Sequence, residues 1–323
     1  MNNDYRVPEQ VEQYIAYKQG LGYELRIEAA ELRRFANYVR AQNYMGSLTV
    51  NLALNWAAEK PHYTRWYKAR RLETIHCFAK YAYAIDDKTQ IPPTGIFGKC
   101  HGRVVPYIYS DDEVILLMKQ ADRLLSPDGL RAKAVTTAIG LLWSTGLRVC
   151  ELCRLSRDDV HLNNHELHIR DTKFHKERYV PIHPSVTNAL KRYANLRDHL
   201  YPNSSDSHFF LSTHGKLLSE RNLEYSFTVL RSYLLSSRKS RWDRRPPRLY
   251  DLRHTFACNT IIRWFKEHAD INHHIYLLST YLGHVKPSDT YWYLTGTSEL
   301  MALSTERFEK FVFELDWREN NEK

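Results

Sequence analysis

Arg148, Lys173, Arg253, His284 and Tyr293 follow one another in the strings TGLRVCEL, DTKFHKERYVPI, YDLRHTFA and YLGHVKPSDTYWYLT. A tyrosine with two arginines, a lysine and a histidine suits one chemistry. The phenol oxygen attacks a phosphodiester, and the cations hold the phosphate while its charge develops. A guanidinium is a rigid fork of donors matched to phosphate oxygens. Two of them can take both non-bridging oxygens and stabilise a pentacoordinate phosphorus. Either arginine alone reads as a surface cation or half of an ion pair; the combination points to phosphate. Lys173 sits in a predicted turn between two strands. From a hairpin its ammonium can reach the scissile bond and protonate a leaving 5′ oxygen. Lys176, three residues on, competes for that role.

The elements that must carry these residues read as follows. Residues from about 8 to 85 are helical. Pro8 opens the first helix, and Gly20 and Gly22 end it. Ile27, Leu32, Phe35, Tyr38 and Val39 form a helical stripe within 27–42. A third helix spans 48–60 with Thr49 as its cap, and a fourth spans 62–85. The fourth carries Trp66, Leu72, Ile75 and Phe78 among Arg65, Lys68, Arg70 and Arg71. Residues 86–109 hold Pro92, Pro93, Gly95, Gly98, Gly102 and Pro106, a turn-rich linker that puts a domain boundary near 105. Ser110 and Glu113 form a capping box. Helices follow to Gly146. Alternating residues at 166–171 and 178–183 predict two strands joined by TKFHKE. Helices at 185–199 and 219–236 flank a short predicted strand, HFFLS. The basic loop RKSRWDRRPPR leads to helices at 252–268 and 275–283, and then to the tyrosine segment. The tail 300–317 carries a helical apolar stripe.

The chain has 323 residues, 46 Lys plus Arg against 37 Asp plus Glu, and a net charge of +9. This balance predicts a polyanionic partner and one or two domains, each with an adequate core. Cys77, Cys100, Cys150, Cys153 and Cys258 make an odd set without a disulfide framework, so reduced thiols and an intracellular setting are expected. Cys150 and Cys153 lack the second pair that a zinc site requires. The start, MNNDYRVPEQVEQY, is polar and does not read as a signal peptide, and no apolar run reaches 18 residues, so no membrane span is expected.

The string LGH with a tyrosine nine residues later, preceded by LRHTFA, resembles the tyrosine recombinase/integrase family over roughly 107–311. The resemblance implies a mainly α fold with a small β-sheet. A helical core-binding domain (1–105) would precede a mixed α/β catalytic domain (106–323). It implies Tyr293 as nucleophile, with Tyr291 as its near rival. On a helix the two point about 200° apart, so only one can face the phosphate. It implies Arg148, Arg253 and His284 around the phosphate, with His284 either donating to it or helping to take the tyrosine proton. Glu151, in the family's RxxE pattern, would orient Arg148. The family's GKGxKxR pattern favours Lys173 as the acid and leaves Lys176 and Arg178 to phosphates or water. The sequence departs from the family at HxxR, where Tyr250 stands in place of histidine. A phenol stays neutral at pH 7 but donates one hydrogen bond. His254 points about 100° away from Arg253 around the helix and does not simply replace that histidine.

The implied reaction is site-specific DNA recombination, in DNA integration or transposition by a mobile element. Tyr293 forms a 3′-phosphotyrosyl bond, a 5′ hydroxyl is released, and the 5′ hydroxyl of a partner strand reverses the step. The covalent intermediate stores the bond energy, so no cofactor or metal is expected. The implied partners are double-stranded DNA and a homo-tetramer on two DNA sites, with related recombinases as further candidates and no membrane. The implied setting is the bacterial cell interior, the cytoplasm at the nucleoid. The terminal stripe is a candidate docking helix. Without an added arm-binding domain, the chain looks closer to Xer-like or transposon-encoded members than to larger phage integrases. Two other readings stand beside this one. A topoisomerase IB-like enzyme would use the same chemistry without a partner duplex, and a DNA-binding protein with a decayed site is what Tyr250 keeps open.

Overall fold

The computed structural model divides into two compact units, Met1–Val104 and Val105–Lys323. It describes residues 7–99, 106–170, 177–237, 246–267, 269–295 and 305. The predicted turn with Lys173 and Lys176, most of the basic loop before Leu249, and the terminal apolar stripe apart from Thr305 lie outside the described residues. No helix among the described residues is long and apolar enough to cross a membrane.

Among its described residues the first unit has four helices: α1 (Val7–Gly20), α2 (Arg26–Ala41), α3 (Val50–Ala57) and α4 (Arg65–Tyr83). Two threonines start the last two. Thr49 accepts from the Leu52 N–H at 3.2 Å and Thr64 from the Tyr67 N–H at 3.3 Å, each satisfying a donor that the first turn leaves free. Leu32, Phe35, Trp56, Ile75 and Phe78 fill the core. The predicted stripe on α2 is narrower than its sequence suggests. Ile27 lies in the first turn and is 62% exposed, while Leu32, Phe35 and Val39 point inward. Trp66, also in a first turn, is exposed too. Arg71 is a basic residue of α4 that does not face solvent. It is buried, with its guanidinium 3.9 Å over the Trp56 ring, donating to Glu59 at 3.1 Å and lying 3.8 Å from buried Glu31.

The second unit begins with α5 (Asp111–Ala121), opened by the reciprocal Ser110–Glu113 capping box. The long α6 (Leu130–Thr145) packs against it and is followed at once by the short α7 (Val149–Arg154). A three-stranded antiparallel sheet comes next, in the order β1 (Val160–His161), β2 (Glu166–Ile169), β3 (Arg178–Pro181), with Leu167 opposite Val180. β1 has two residues, too few to show alternation in the sequence. The predicted HFFLS strand forms isolated bridges only, Ser156 to His208 and Leu211 to Leu217, and Phe209, Phe210 and Leu211 are all buried. Helices α8 (Pro184–Leu200), α9 (Glu220–Ser237), α10 (Asp251–Lys266), α11 (Ile271–Leu282) and α12 (Ser288–Tyr291) complete the unit, followed by a 3-10 turn, Trp292–Thr295. One core holds Val135, Ile139, Leu142, Leu152, Leu167, Val180, Leu190 and Leu252. A second holds Ile261, Ile275, Leu278 and Leu282 together with the ring of Tyr293.

Arg71→Ala removes the donor to Glu59 and empties the face of Trp56, while Glu31 keeps Arg34 at 2.6 Å and the Tyr67 hydroxyl at 2.7 Å. Loss of a hydrogen bond between charged groups costs about 2 kcal/mol. Urea unfolding of the full chain followed by tryptophan fluorescence is expected to show a lower midpoint for Arg71→Ala than for Trp66→Ala, whose exposed ring supports little.

Candidate active site

The site grows from three chain reversals. The first is at the end of α6. Gly146 has φ +63°, and a Cβ there would come 2.5 Å from the Phe256 ring, so the turn requires glycine on both counts. The turn leaves Arg148 as the residue that caps α7. The Arg148 guanidinium donates to Glu151 at 2.7 Å, and the Glu151 carboxylate also accepts the Arg148 backbone N–H at 3.0 Å. The second is the end of α11, where Gly283 (φ +69°) leads to His284. The third is the short α12 with its 3-10 turn, which brings Tyr293 inward.

Arg178 on β3 is the residue that sequence reasoning assigned elsewhere. It was expected to meet phosphates or water, yet it grips Glu151 with two parallel bonds, Nη1 to Oε1 at 3.1 Å and Nη2 to Oε2 at 2.8 Å. The available signal was strand parity. Arg178 is two residues before buried Val180 and shares its inward face. Burial alone would raise the Glu151 pKa. The hydrogen bonds and charge of Arg178, with those of Arg148, outweigh it and hold the carboxyl at about 2.

Three consecutive carbonyls at the C-terminus of α11 each accept from a different arginine. Arg178 Nε donates to Tyr281 O at 2.8 Å, Arg253 Nη2 to Leu282 O at 2.8 Å, and Arg148 Nη2 to Gly283 O at 3.1 Å. These are orphan acceptors at the negative end of the helix, where cations are favoured. Gly283 also makes room: a Cβ there would lie 2.8 Å from Arg178 Nη1.

Arg253, in the first turn of α10, is 1% exposed. Its Nη1 donates to Gly146 O at 2.8 Å and its Nη2 to His284 Nε2 at 2.9 Å, so it joins the α6 and α11 reversals. It has no carboxylate partner among these bonds, and its Nε is buried without any partner. Burial and then the Arg148 charge push its pKa down. The guanidinium only donates, so His284 Nε2 must accept. The ring proton then lies on Nδ1, 2.7 Å from Thr290 Oγ1. Burial, followed by the charges of Arg253 and Arg148, lowers the His284 pKa to about 4, which keeps the ring neutral.

Tyr293 lies against this frame, 3% exposed, with its ring stacked on His284 at 5.9 Å between centroids and 19° between planes. Tyr291 is 38% exposed, so the two tyrosines do face opposite ways. Burial raises the Tyr293 pKa, and Arg253 works against the rise. Tyr250, just before α10, is 42% exposed at the edge of the site. His254, which sequence reasoning set aside, stands between the two phenols. Its ring is edge-on to Tyr250 at 5.2 Å and to Tyr293 at 5.3 Å. The structure therefore brings together Arg148, Arg253, His284, Tyr293 and Tyr250, and adds Glu151, Arg178, Thr290 and His254. Lys173 lies outside the described residues. Among the described residues no group of three or more His, Cys, Asp and Glu could hold a metal ion.

The chain was compared with known proteins. The model of the phage integrase family matches residues 108–299. A protein of Sinorhizobium fredii (strain NBRC 101917 / NGR234), named as an integrase/recombinase, y4rB, is 36% identical over 304 residues, spanning 93% of this chain and 96% of its own. The tyrosine recombinase XerC of Herpetosiphon aurantiacus is 28% identical over 79% of this chain and 82% of its own. The Tn1549 transposon integrase, solved with transposon right end DNA, is 15% identical and shares the fold, with a TM-score of 0.66 over 95% of this chain and 99% of that one. The frame that joins Arg148, Arg253, His284 and Tyr293 thus falls inside the matched segment, and the chain belongs to the phage integrase family, the tyrosine recombinases.

Proposed function

We propose that this chain recombines DNA at specific sites, with Tyr293 as nucleophile and Arg148 and Arg253 as the phosphate clamp. The observation that carries this reading is the Arg253 guanidinium. It is buried and charged, donates to two carbonyls and an imidazole, lies in hydrogen-bond reach of the Tyr293 phenol, and keeps its Nε buried without a partner. Such a cation is costly without an anion, and a phosphate supplies one. Arg148 shares the frame and keeps part of its side chain at the surface, where it can turn a donor to the same phosphate.

The reaction balances without an added reactant. The Tyr293 oxygen forms a bond to phosphorus as the bond to the 5′ oxygen breaks. The phenol loses its proton, and the leaving oxygen gains one. Lys173 is our candidate for that acid. Glu151 and Arg178 act through Arg148 by fixing its guanidinium, and His284 acts first by holding Arg253. Tyr250 supplies a neutral hydroxyl where the family pattern has histidine. The 5′ hydroxyl of a partner strand reverses the step. Each duplex carries two scissile phosphates, so joining two duplexes takes four nucleophiles and hence four protomers. The four-helix unit, on a basic chain, is the candidate for gripping the DNA beside the site. A DNA substrate and a chain with no disulfide among its described cysteines are in keeping with a reaction inside the cell, at the nucleoid. The ordered clamp favours an active enzyme over a decayed site.

Tyr293→Phe is expected to abolish covalent adduct on a nicked, trapping substrate while leaving DNA affinity nearly unchanged, because affinity comes from many phosphate contacts. Tyr291→Phe is expected to keep forming adduct, and the reverse pattern would identify Tyr291 as the nucleophile. Arg148→Ala is expected to lower single-turnover cleavage roughly 100-fold or more, with only a modest loss of affinity. Equal losses in both would move Arg148 to the binding surface. Tyr250→His is expected to be tolerated. Tyr250→Phe keeps the ring contact with His254 but removes the hydroxyl, about 1.5–3 kcal/mol or roughly tenfold to a hundredfold in rate. Wild-type cleavage by Tyr250→Phe would make residue 250 a packing residue.

A further inference from the structure

Two side-chain nitrogens at the site are buried without a hydrogen-bond partner, Arg253 Nε and His254 Nδ1. A phosphate accounts for the first. The second is unexplained by the clamp, and an unpaired buried polar atom lowers stability, so folded proteins seldom keep one without a use. The position of His254 says what that use is. Tyr250 and His254 are four residues apart and share one face of α10. The imidazole meets the Tyr250 ring at 5.2 Å and 74° on one side and the Tyr293 ring at 5.3 Å and 63° on the other.

The other imidazole is committed. His284 uses Nε2 to accept from Arg253 and Nδ1 to reach Thr290, which leaves neither nitrogen for the phenol. His254 is the ring beside Tyr293 with a nitrogen to spare. Burial lowers its pKa to about 4; Asp251 opposes this, while Arg248 and Arg253 support it. At neutral pH the ring therefore adds no further positive charge beside the arginines.

We propose that His254 is a positioning residue for the nucleophile: its ring holds Tyr293 edge-on, and its Nδ1 takes up the Tyr293 hydroxyl as hydrogen-bond partner when the phenol is brought to the phosphate. Arg253 already reaches the Tyr293 oxygen as a donor, and accepting the hydroxyl proton at His254 Nδ1 sets the direction of the O–H, so that an oxygen lone pair faces phosphorus. The inference rests on the reading of Tyr293 as nucleophile.

His254→Phe tests it in the full-length protein. The substitution keeps a ring between the two phenols and removes the unpaired nitrogen. The expected result is a melting temperature equal to or above that of the wild type and unchanged DNA affinity, with single-turnover adduct formation slowed about tenfold or more. A packing residue would not separate these readouts. His254→Asn carries a polar atom near the place of Nδ1 and is expected to recover part of the rate. His254→Gln, whose amide reaches toward the place of Nε2, is expected to recover less. Wild-type cleavage by His254→Phe overturns the proposal, as does a loss of rate that only follows a loss of stability. An Asn variant no faster than the Phe variant overturns the role of Nδ1. Tyr293→Phe, run beside them, keeps the two readings apart: adduct from that variant would refute the nucleophile itself, whereas its absence leaves His254 to be judged on its own variants.

Discussion

Three arginines can share one buried site only because the C-terminus of α11 gives each of them a carbonyl. Tyr281, Leu282 and Gly283 present successive acceptors to Arg178, Arg253 and Arg148. The last turn of a helix has carbonyls with no partner in the helix and a negative potential, so the same groups satisfy the guanidiniums and offset their repulsion. Everything else at the site hangs from this turn. Gly283 must be glycine both for its positive φ and for the space Arg178 occupies. His284 follows it directly, and His284 in turn supports Arg253 and the ring of Tyr293.

The charge balance that results is uneven by design of the residues present. Three guanidiniums face one carboxylate, Glu151, which leaves two positive charges unanswered within the frame. Asp251 does not answer them, because it is bonded to Arg248 at 2.7 Å. Glu151 is spent on Arg148 and Arg178, so the excess concentrates on Arg253 and on the exposed part of Arg148. A phosphodiester carries one negative charge and gains more as a second oxygen attacks. Preorganised cations in a desolvated pocket interact more strongly with that added charge than water would. On the proposed reading, the burial that makes these cations costly without an anion is also what favours the charged transition state.

Of the candidate residues named from the strings, the structure brings all but Lys173 together, Lys173 lying outside the described residues, and much of the fold was legible in the periodicity. The capping box at Ser110, the threonine cap of α3, and the antiparallel pair β2–β3 were all legible, because each depends on residues close in the chain. Arg178 was assigned to phosphates or water because a basic residue is usually exposed, and only tertiary structure reveals the partners that bury it, Glu151 and Tyr281; Arg71 is buried in the same way by Trp56 and Glu59. His254 was set aside on helical angle relative to Arg253. The relevant comparison was with Tyr250, one turn earlier on the same face, and with Tyr293, some forty residues away in sequence. HFFLS failed as a strand because its residues are buried on both sides without a ladder to join.

Tyr250 stands where the resemblance places a histidine, and the electrostatics of the site bear on that exchange. A histidine there would stand near Arg248 and Arg253, the same charges that help to hold His254 neutral. His284, beside Arg253 and Arg148, is held neutral as well. Burial is the larger cause for both of those rings, and residue 250 is 42% exposed, so their neutrality does not carry over to a histidine there. The phenol present is a neutral donor, with its ring edge-on to His254. Tyr250 therefore brings a hydroxyl and no charge to the edge of the site, and the excess positive charge of the frame comes from Arg148, Arg178 and Arg253.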